Sequence, residues 1–413
     1  MKKFILPVIF SILMPILVAA QCESGRYRDF IFQNYSVQSD LLYGSNINQD
    51  GASEDLLLDV YEPEGDADTD RALVILCHGG YFIGGDKAEV DMAPLCQDLA
   101  RMGYVVASIN YRMGIPFSFN LEVPYGQAVV RAVQDLRAAI RWFRKDVAEN
   151  GNQFGIDPEE IYTGGSSAGG FMSLHLAYMD ESEVPTWLDM TIPGLEGGLE
   201  GESGNAGYSS DVKAIFSVSG ALGDSDWIDA EDNTPALLFH GDDDNVITID
   251  SGLFVLFNTI DVTTVEGSNY INERLDNFGI EHCYEINEGM GHVPYVDDAA
   301  IYDTTLSIIS NFLSHYICGV ELDCSYREII ASVEEKTLTE SVVFPNPTTG
   351  LCYLSKVSPD IKKISVSDMS GKLLRHQNFQ QNGEVDLRDL SPGIYVVGLH
   401  GGKLDQHLKV IVN

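Results

Sequence analysis

Basic residues are scarce in this 413-residue sequence: 25 Lys and Arg stand against 62 Asp and Glu, a formal net charge of −37. The deficit is uneven. Residues 1–20 hold only Lys2 and Lys3, residues 335–413 hold nine basic against eight acidic side chains, and residues 21–334 carry 14 against 54. A surface this anionic repels phosphate backbones and anionic lipid, which excludes nucleic acid as a partner. It suits a soluble exported protein or one that binds divalent cations, and solubility alone is sufficient reason for it. Tryptophan is nearly absent: Trp142, Trp187 and Trp227 are the only three, and the last third of the chain has none. No segment after residue 20 is apolar enough to span a membrane. With 45% hydrophobic and 21% charged residues and 39 dispersed glycines, the composition is globular. It excludes collagen, coiled coil, wholesale disorder and a multi-span membrane protein. The length points to two or three domains.

Residues 1–20 read as a secretory signal peptide. Met1-Lys2-Lys3 is a basic start, Phe4 to Val18 is apolar and broken by Pro7 and Pro15, and Val18-Ala19-Ala20 supplies small residues before the expected cut. Gln21 is a poor neighbour for a lipidated cysteine, so lipidation of Cys22 is the minor alternative. Export permits disulfides. The seven cysteines are Cys22, Cys77, Cys96, Cys283, Cys318, Cys324 and Cys352, an odd number that leaves at least one unpaired or bridging between chains. Cys318 and Cys324 are close in sequence and are the expected local bridge. Cys77 lies in an apolar run and reads as a small core residue.

From residue 70 to 290, strands alternate with helices. Ala72–Cys77, Tyr104–Asn110, Glu160–Thr163, Lys213–Val218, Pro235–Phe239 and His282–Ile286 are short apolar runs of strand type. Gln127–Val147 has apolar residues at helical spacing, Asp157-Pro158 reads as a helix cap with proline at the first position, and Ser167–Met179 is a helix. This alternation predicts an α/β fold with a mostly parallel central sheet covered on both faces.

Between a strand and a helix stands Gly165-Ser166-Ser167-Ala168-Gly169, a G-x-S-x-G pattern. The physical requirement is a sharp, strained turn that presents a serine, with small residues on both sides so that strand and helix can approach. The helix N-terminus then aims its N–H groups at a developing oxyanion. The frame selects Ser167, because Ser166 would have Gly164 and Ala168 as flanks. A nucleophilic serine needs a base and an orienting carboxylate. His240-Gly241-Asp242-Asp243-Asp244 follows a strand, and Asn287-Glu288-Gly289-Met290-Gly291-His292 places a histidine in a glycine-flanked loop. The order Ser167, Asp244, His292 is that of a strand-borne hydrolase triad. Asp242 and Asp243 fit a solvated turn or a cation site. The loop His78-Gly79-Gly80-Tyr81-Phe82 can supply an N–H to an oxyanion hole together with Ala168, each donor being worth roughly 2.7–4 kcal/mol to the transition state.

The segments HGGYFIGG, VVASINYR, AVQDLRAAIRWFR, FGIDPEEIYTGGSSAGG, HGDDDNV and GMGH together resemble the carboxylesterase/lipase group of α/β hydrolases, near the hormone-sensitive-lipase-like and feruloyl or acetyl esterase-like members. The resemblance covers about residues 40–316. It implies an α/β-hydrolase fold, Ser167 as nucleophile, Asp244 as acid, His292 as base, and Gly80, Tyr81 and Ala168 as oxyanion donors, with no metal or organic cofactor. Two departures weaken the transfer of substrate preference: Ser166 stands where an acidic residue is frequent, and the oxyanion loop reads HGGY rather than HGGG. Glu181–Ser210 is a loop-rich insertion that fits a lid or an acidic surface loop equally well.

Ser325–Ser341 is polar and reads as a linker. Beyond it, turn signals recur every 8–15 residues, which predicts a small all-β sandwich domain. The pattern PNPTTG, then D-x-x-G-K, then DLRDLSPGIYVV resembles the C-terminal sorting domain of the type IX secretion system of Bacteroidetes. The resemblance implies passage through the periplasm and an outer-membrane translocon, ending in a secreted or cell-surface protein, with the secretion machinery as partner. The expected organisation is therefore a signal peptide (1–20), a catalytic domain (21–324), a linker (325–341) and a sorting domain (342–413). The expected function is hydrolysis of a small or polymer-borne ester. A serine peptidase of the same fold and a catalytically inactive binding module are the alternatives.

Overall fold

The computed structural model describes Cys22, residues 25–327 other than Phe117, Phe119 and Asn258, and, in the tail, residues 342–355, 357, 361–368, 372–379, 383–400 and 406–413. The signal-peptide segment, residues 328–341 of the expected linker and the expected turn at Ser370-Gly371 lie outside them. The described residues fall into two compact units, one up to Arg327 and one from Val342.

The first unit is built on an eight-stranded sheet. Its strands are β1 (Tyr35–Ile47), β2 (Ser53–Pro63), β3 (Arg71–Cys77), β4 (Val105–Ile109), β5 (Ile156–Ser166), β6 (Ile215–Val218), β7 (Ala236–Gly241) and, after a separate hairpin of β8 (Ser251–Leu256) and β9 (Ile260–Glu266), β10 (His282–Asn287). The order is β1-β2-β4-β3-β5-β6-β7-β10, antiparallel through the first three and parallel from β4 onward. That is the α/β-hydrolase arrangement the motifs implied. Among the described residues five long helices accompany the sheet: α1 (Ala93–Arg101), α2 (Glu122–Glu149), α3 (Ala168–Tyr178), α4 (Ser268–Phe278) and α5 (Ala299–Cys318).

Strand β3 shows why both faces are covered. Every one of its residues is buried. Successive side chains of a strand point to opposite faces. Leu73, Ile75 and Cys77 accordingly join Ala132, Leu136, Phe143 and Phe171 of α2 and α3, while Ala72, Val74 and Leu76 join Leu95, Leu99, Leu306 and Phe312 of α1 and α5. Each fully buried aliphatic or Phe side chain stabilises the fold by about 1.5–3 kcal/mol, and the sheet is thereby held rigid at the C-terminal edge where the serine stands.

Several expectations change. Asp157 and Pro158 are not a helix start but the entry of β5. Asp157 Oδ1 accepts the N–H of Glu159 at 2.8 Å, a local turn that borrows the chemistry of a cap. Helix α2 begins five residues earlier than its apolar spacing suggested, at Glu122. Strands β1, β2, β8 and β9 lie outside the apolar runs singled out in the sequence: β1 is exposed over Ser36–Asp40, whereas β2 is largely buried from Leu56 onward.

Cys318 does not pair with Cys324. The bridges are Cys22–Cys318 and Cys283–Cys324. Cys318 ends α5, and the chain leaves it through Gly319 in the left-handed conformation (φ 65°). That turn carries Cys324 to the edge strand β10, where Cys283 sits. Its bond to Cys318 also removes Cys22 as a lipid attachment point. Cys77, Cys96 and Cys352 are free and buried. The start of the expected linker still packs on this unit: Arg327 pairs with Glu285 at 2.8 Å.

The insertion 181–210 contains no helix or strand, yet its second half is fixed to the scaffold. Arg112, fully buried, pairs with the equally buried Asp135 at 2.8 Å. The same guanidinium donates to the carbonyl of Gly194 at 2.6 Å and to Ser203 Oγ at 3.1 Å. Gln134 binds the carbonyls of Leu195 and Gly198, and Arg141 pairs with Glu200 at 2.5 Å.

The second unit contains β11 (Val342–Phe344), β12 (Leu351–Ser355), β13 (Lys363–Asp368), β14 (Leu373–Asn378), β15 (Glu384–Asp386), β16 (Gly393–His400) and β17 (Gln406–Val412). They form a three-stranded sheet, β11-β12-β15, and a four-stranded sheet, β14-β13-β16-β17, both antiparallel. Cys352, Leu354 and Val385 of the first share one core with Ile364, Val366, Val397 and Val410 of the second, which is the arrangement of a small sandwich. Among the described residues no helix is long and apolar enough to cross a membrane.

Candidate active site

Strand β5 ends at Ser166 and helix α3 begins at Ala168, so the whole reversal falls on Ser167. Its backbone sits at φ 52°, ψ −116°, a conformation that L-residues rarely adopt. The strain is held by the N–H of Ser167 donating to the Val218 carbonyl at 2.8 Å, and by its own carbonyl accepting from Phe171 at 3.0 Å. The flanking glycines are needed for space. A Cβ on Gly169 would lie 1.9 Å from the Cys77 carbonyl oxygen, and one on Gly165 2.4 Å from the same atom.

Asp244 and His292 arrive from the ends of β7 and β10. The Asp244 side chain is fully buried, and its Oδ2 lies 2.7 Å from His292 Nδ1. Its Oδ1 accepts the N–H groups of Val246 and Ile247 at 2.8 and 2.9 Å. Burial alone would raise the pKa of this carboxyl. Hydrogen bonds from His240, His292 and the Ile247 backbone outweigh that and hold it well below the usual carboxylate range. A carboxylate can only accept, so Nδ1 of His292 carries the proton and Nε2 is left as a base. Asp242 and Asp243 are exposed. Asp242 accepts the N–H of Gly289 at 2.5 Å and so ties down the loop that carries His292.

Ser167, His292, Gly80 and Tyr81 line one cleft of about 400 Å³. Ala168 does not line it; it is buried, and as the first residue of α3 its N–H has no acceptor within the helix. Tyr81 and Phe82 both have φ of 59° and Gly80 has 119°, so the HGGYF loop coils tightly beside the elbow. A Cβ on Gly80 would lie 1.9 Å from the Gly84 carbonyl oxygen, which accounts for the glycine. Among the described residues the N–H groups of Gly80, Tyr81 and Ala168 donate to no protein acceptor.

Sequence reasoning passed over Asp91. Its Oδ2 accepts both the N–H of Gly79 at 2.7 Å and Ser166 Oγ at 2.5 Å, and its carbonyl accepts Tyr295 OH at 2.5 Å. Asp91 thereby joins the glycine loop, the elbow and the segment after His292. It sits in no motif, and only the serine beside the elbow hinted that a partner existed. Among the described residues no group of three or more His, Cys, Asp or Glu side chains is placed to hold a metal ion.

Both units have counterparts among known proteins. Residues 58–226 match the BD-FAE family, and residues 342–413 match the secretion system C-terminal sorting domain. Arylacetamide deacetylase of Oryctolagus cuniculus is 32% identical over 120 residues, 29% of this chain and 27% of that protein. Fumonisin B1 esterase of Sphingopyxis macrogoltabida is 33% identical over 128 residues, 29% of this chain and 22% of that protein. Esterase-5C of Drosophila miranda is 29% identical over 132 residues, 32% of this chain and 22% of that protein, so the chain spans only about a quarter of the length of these relatives. Among solved structures, Thermogutta terrifontis esterase 2 phosphorylated by paraoxon aligns over 69% of this chain and 95% of its own, at 22% identity and a TM-score of 0.48. Over residues 58–226 the chain thus resembles the BD-FAE family, and over residues 342–413 it matches the secretion system C-terminal sorting domain, which marks it as a secreted or cell-surface protein.

Proposed function

We propose that this protein is a carboxylic-ester hydrolase that works through an acyl-enzyme on Ser167. The observation that carries the reading is the 2.7 Å contact of His292 Nδ1 with the buried Asp244, in a cleft that His292 shares with Ser167. His292 Nε2 takes the Ser167 proton as Oγ attacks the ester carbonyl. Asp244 stabilises the imidazolium that forms. The N–H groups of Ala168 and of Gly80 or Tyr81 receive the oxyanion. Collapse of the tetrahedral intermediate expels the alcohol, which takes its proton from His292. Water deprotonated by His292 then releases the acid. The sorting domain implies the secretion machinery as its partner and an ester outside the cell as the substrate.

The test is hydrolysis of p-nitrophenyl esters from acetate to palmitate by the full chain and by Ser167→Ala. Activity that disappears in the variant, with a fluorophosphonate probe mapped to Ser167, supports the reading. A folded wild type that neither hydrolyses any ester nor reacts with the probe overturns it and leaves the inactive binding module. Labelling without ester turnover points to the serine peptidase.

A further inference from the structure

A second cavity, of about 390 Å³, shares no lining residue with the cleft that holds Ser167. It falls within the roughly 300–1,000 Å³ of small-ligand sites. Its walls come from α2, α3, the 181–210 insertion, the segment after β6 and the β8–β9 hairpin, and none of the residues proposed for ester cleavage lines it. Tyr81 of the cleft packs on Phe254 with ring centroids 6.2 Å apart, and Phe254 packs on Tyr125, a wall of this cavity, at 5.0 Å.

His175 is the unexplained residue here. It is 5% exposed and lines the cavity. Nδ1 lies 2.8 Å from the Phe171 carbonyl, which can only accept, so Nδ1 carries the proton and Nε2 is a bare acceptor. Among the described residues nothing donates to Nε2. Burial lowers the His175 pKa to about 4, so the ring is neutral and offers an acceptor at ordinary pH. Phe171 stacks on its ring at 5.9 Å and Trp227 meets it edge-on at 5.4 Å. Trp187, 45% exposed, forms part of the rim.

The charged groups of the lining are all carboxylates: Glu122, Glu183 and Asp224. Each uses one oxygen locally, on Thr263 Oγ1, the N–H of Asp180 and the N–H of Asp226 respectively, and each keeps further lone pairs. No Lys or Arg lines the cavity. The site therefore offers two indole rings, a phenyl and a phenol ring, and four acceptors beside the hydroxyls of Tyr125, Thr263 and Thr264. That set repels anions and asks for a ligand with several hydroxyl donors and an apolar ring face. A phenol brings one donor; a sugar ring brings several, and its C–H face lies against indole.

We propose that this cavity is a binding site for a neutral sugar ring, with Trp227 as the stacking platform and His175 Nε2 accepting a sugar hydroxyl. The site acts on its own and does not depend on the ester reading.

The test is titration of the full-length protein with xylotriose, cellotriose and mannotriose, followed by tryptophan emission and calorimetry. Trigalacturonate serves as the anionic comparison and phenol as the single-hydroxyl one. Trp142 packs between Phe143 and Phe154, so emission changes report Trp187 and Trp227. The expected result is saturable binding of at least one neutral trisaccharide, no binding of trigalacturonate, and at least tenfold weaker binding in His175→Phe and in Trp227→Leu. Thermal melts check that both variants fold, and His175→Gln, which keeps an acceptor, should retain more affinity than His175→Phe. Binding in Ser167→Ala should equal wild type, which separates this outcome from failure of the esterase. No saturable binding of any neutral sugar, binding indifferent to both substitutions, or binding of phenol alone overturns the proposal.

Discussion

Asp91 Oδ2 receives Ser166 Oγ at 2.5 Å while holding the N–H of Gly79 at 2.7 Å, so a single carboxylate oxygen couples the glycine loop after β3 to the turn that carries Ser167, the proposed nucleophile. Ser166 therefore has a reason to be a serine that is separate from nucleophilic attack. Asp91 touches no reacting atom and acts as a positioning residue.

Asp91→Ala should lower kcat by about 10–100-fold, since a displaced oxyanion donor is worth roughly 2.7–4 kcal/mol and the loop is here loosened rather than lost. KM should move little, because ground-state binding does not draw on these donors. Ser166→Ala removes one neutral donor and should cost less, about 3–10-fold, from a hydrogen bond worth roughly 0.5–1.5 kcal/mol. Steady-state kinetics with p-nitrophenyl butyrate read both. A merely structural role would lower the melting temperature and leave kcat per folded molecule unchanged.

The residues of the candidate site could be picked out in the sequence, and the side chain that braces them could not. Ser167, Asp244 and His292 stand out because strand-end motifs flank them with glycines. Asp91 is invisible because its partners, Gly79 and Ser166, meet it only through the fold. Strands β3 to β7 and β10 were legible as short apolar runs, whereas β1 is exposed from Ser36 to Asp40 and offers no run there. Asp157-Pro158 misled because an aspartate-proline pair serves a turn into a strand as well as it serves a helix start. The expected Cys318–Cys324 bridge is wrong because spacing along the chain says nothing of where a left-handed glycine sends it next.

Asp244 makes a pH-dependent contribution whose sign is fixed. A carboxyl held below its unfolded value stabilises the fold above the unfolded pKa of about 4, and that contribution is lost as pH falls toward the folded value. Asp244→Asn should therefore be less stable than wild type at pH 7, and the two melting temperatures should converge as pH drops below about 4. The same variant lets His292 adopt the wrong tautomer, and kcat should fall by about 10⁴-fold, the loss typical of this substitution in triad enzymes.

Thiol chemistry tests the corrected bridges. Native protein should show no thiol reactive toward Ellman's reagent, because Cys77, Cys96 and Cys352 are all buried. Burial also pushes the Cys352 thiol up to about 11, so little thiolate is present at pH 8. Protein unfolded in guanidinium without reductant should titrate three thiols. Peptide mapping should then recover Cys283 linked to Cys324 and Cys22 linked to Cys318, and a Cys318–Cys324 peptide would contradict this fold.

The Arg112–Asp135 pair carries the last prediction. Both side chains are fully buried, and Asp135 also accepts Ser203 Oγ at 2.6 Å. Removing one member of a buried pair leaves the other charge without compensation, at about 3–5 kcal/mol. Asp135→Ala should accordingly lower the melting temperature of the first unit by roughly 5–10 °C, given about 2 °C per kcal/mol at the large end of the domain-size range. The loss should appear first in the 181–210 insertion, because Arg112 holds Gly194 and Ser203 through the same guanidinium. Hydrogen exchange should show 194–204 opening before the central strands. The double variant Arg112→Met, Asp135→Leu restores apolar volume without a stranded charge and should recover part of the global stability. It should not recover protection of the insertion, because the guanidinium that bound its carbonyl is gone. Equal recovery of both would mean that packing, rather than this guanidinium, fixes the insertion to the sheet.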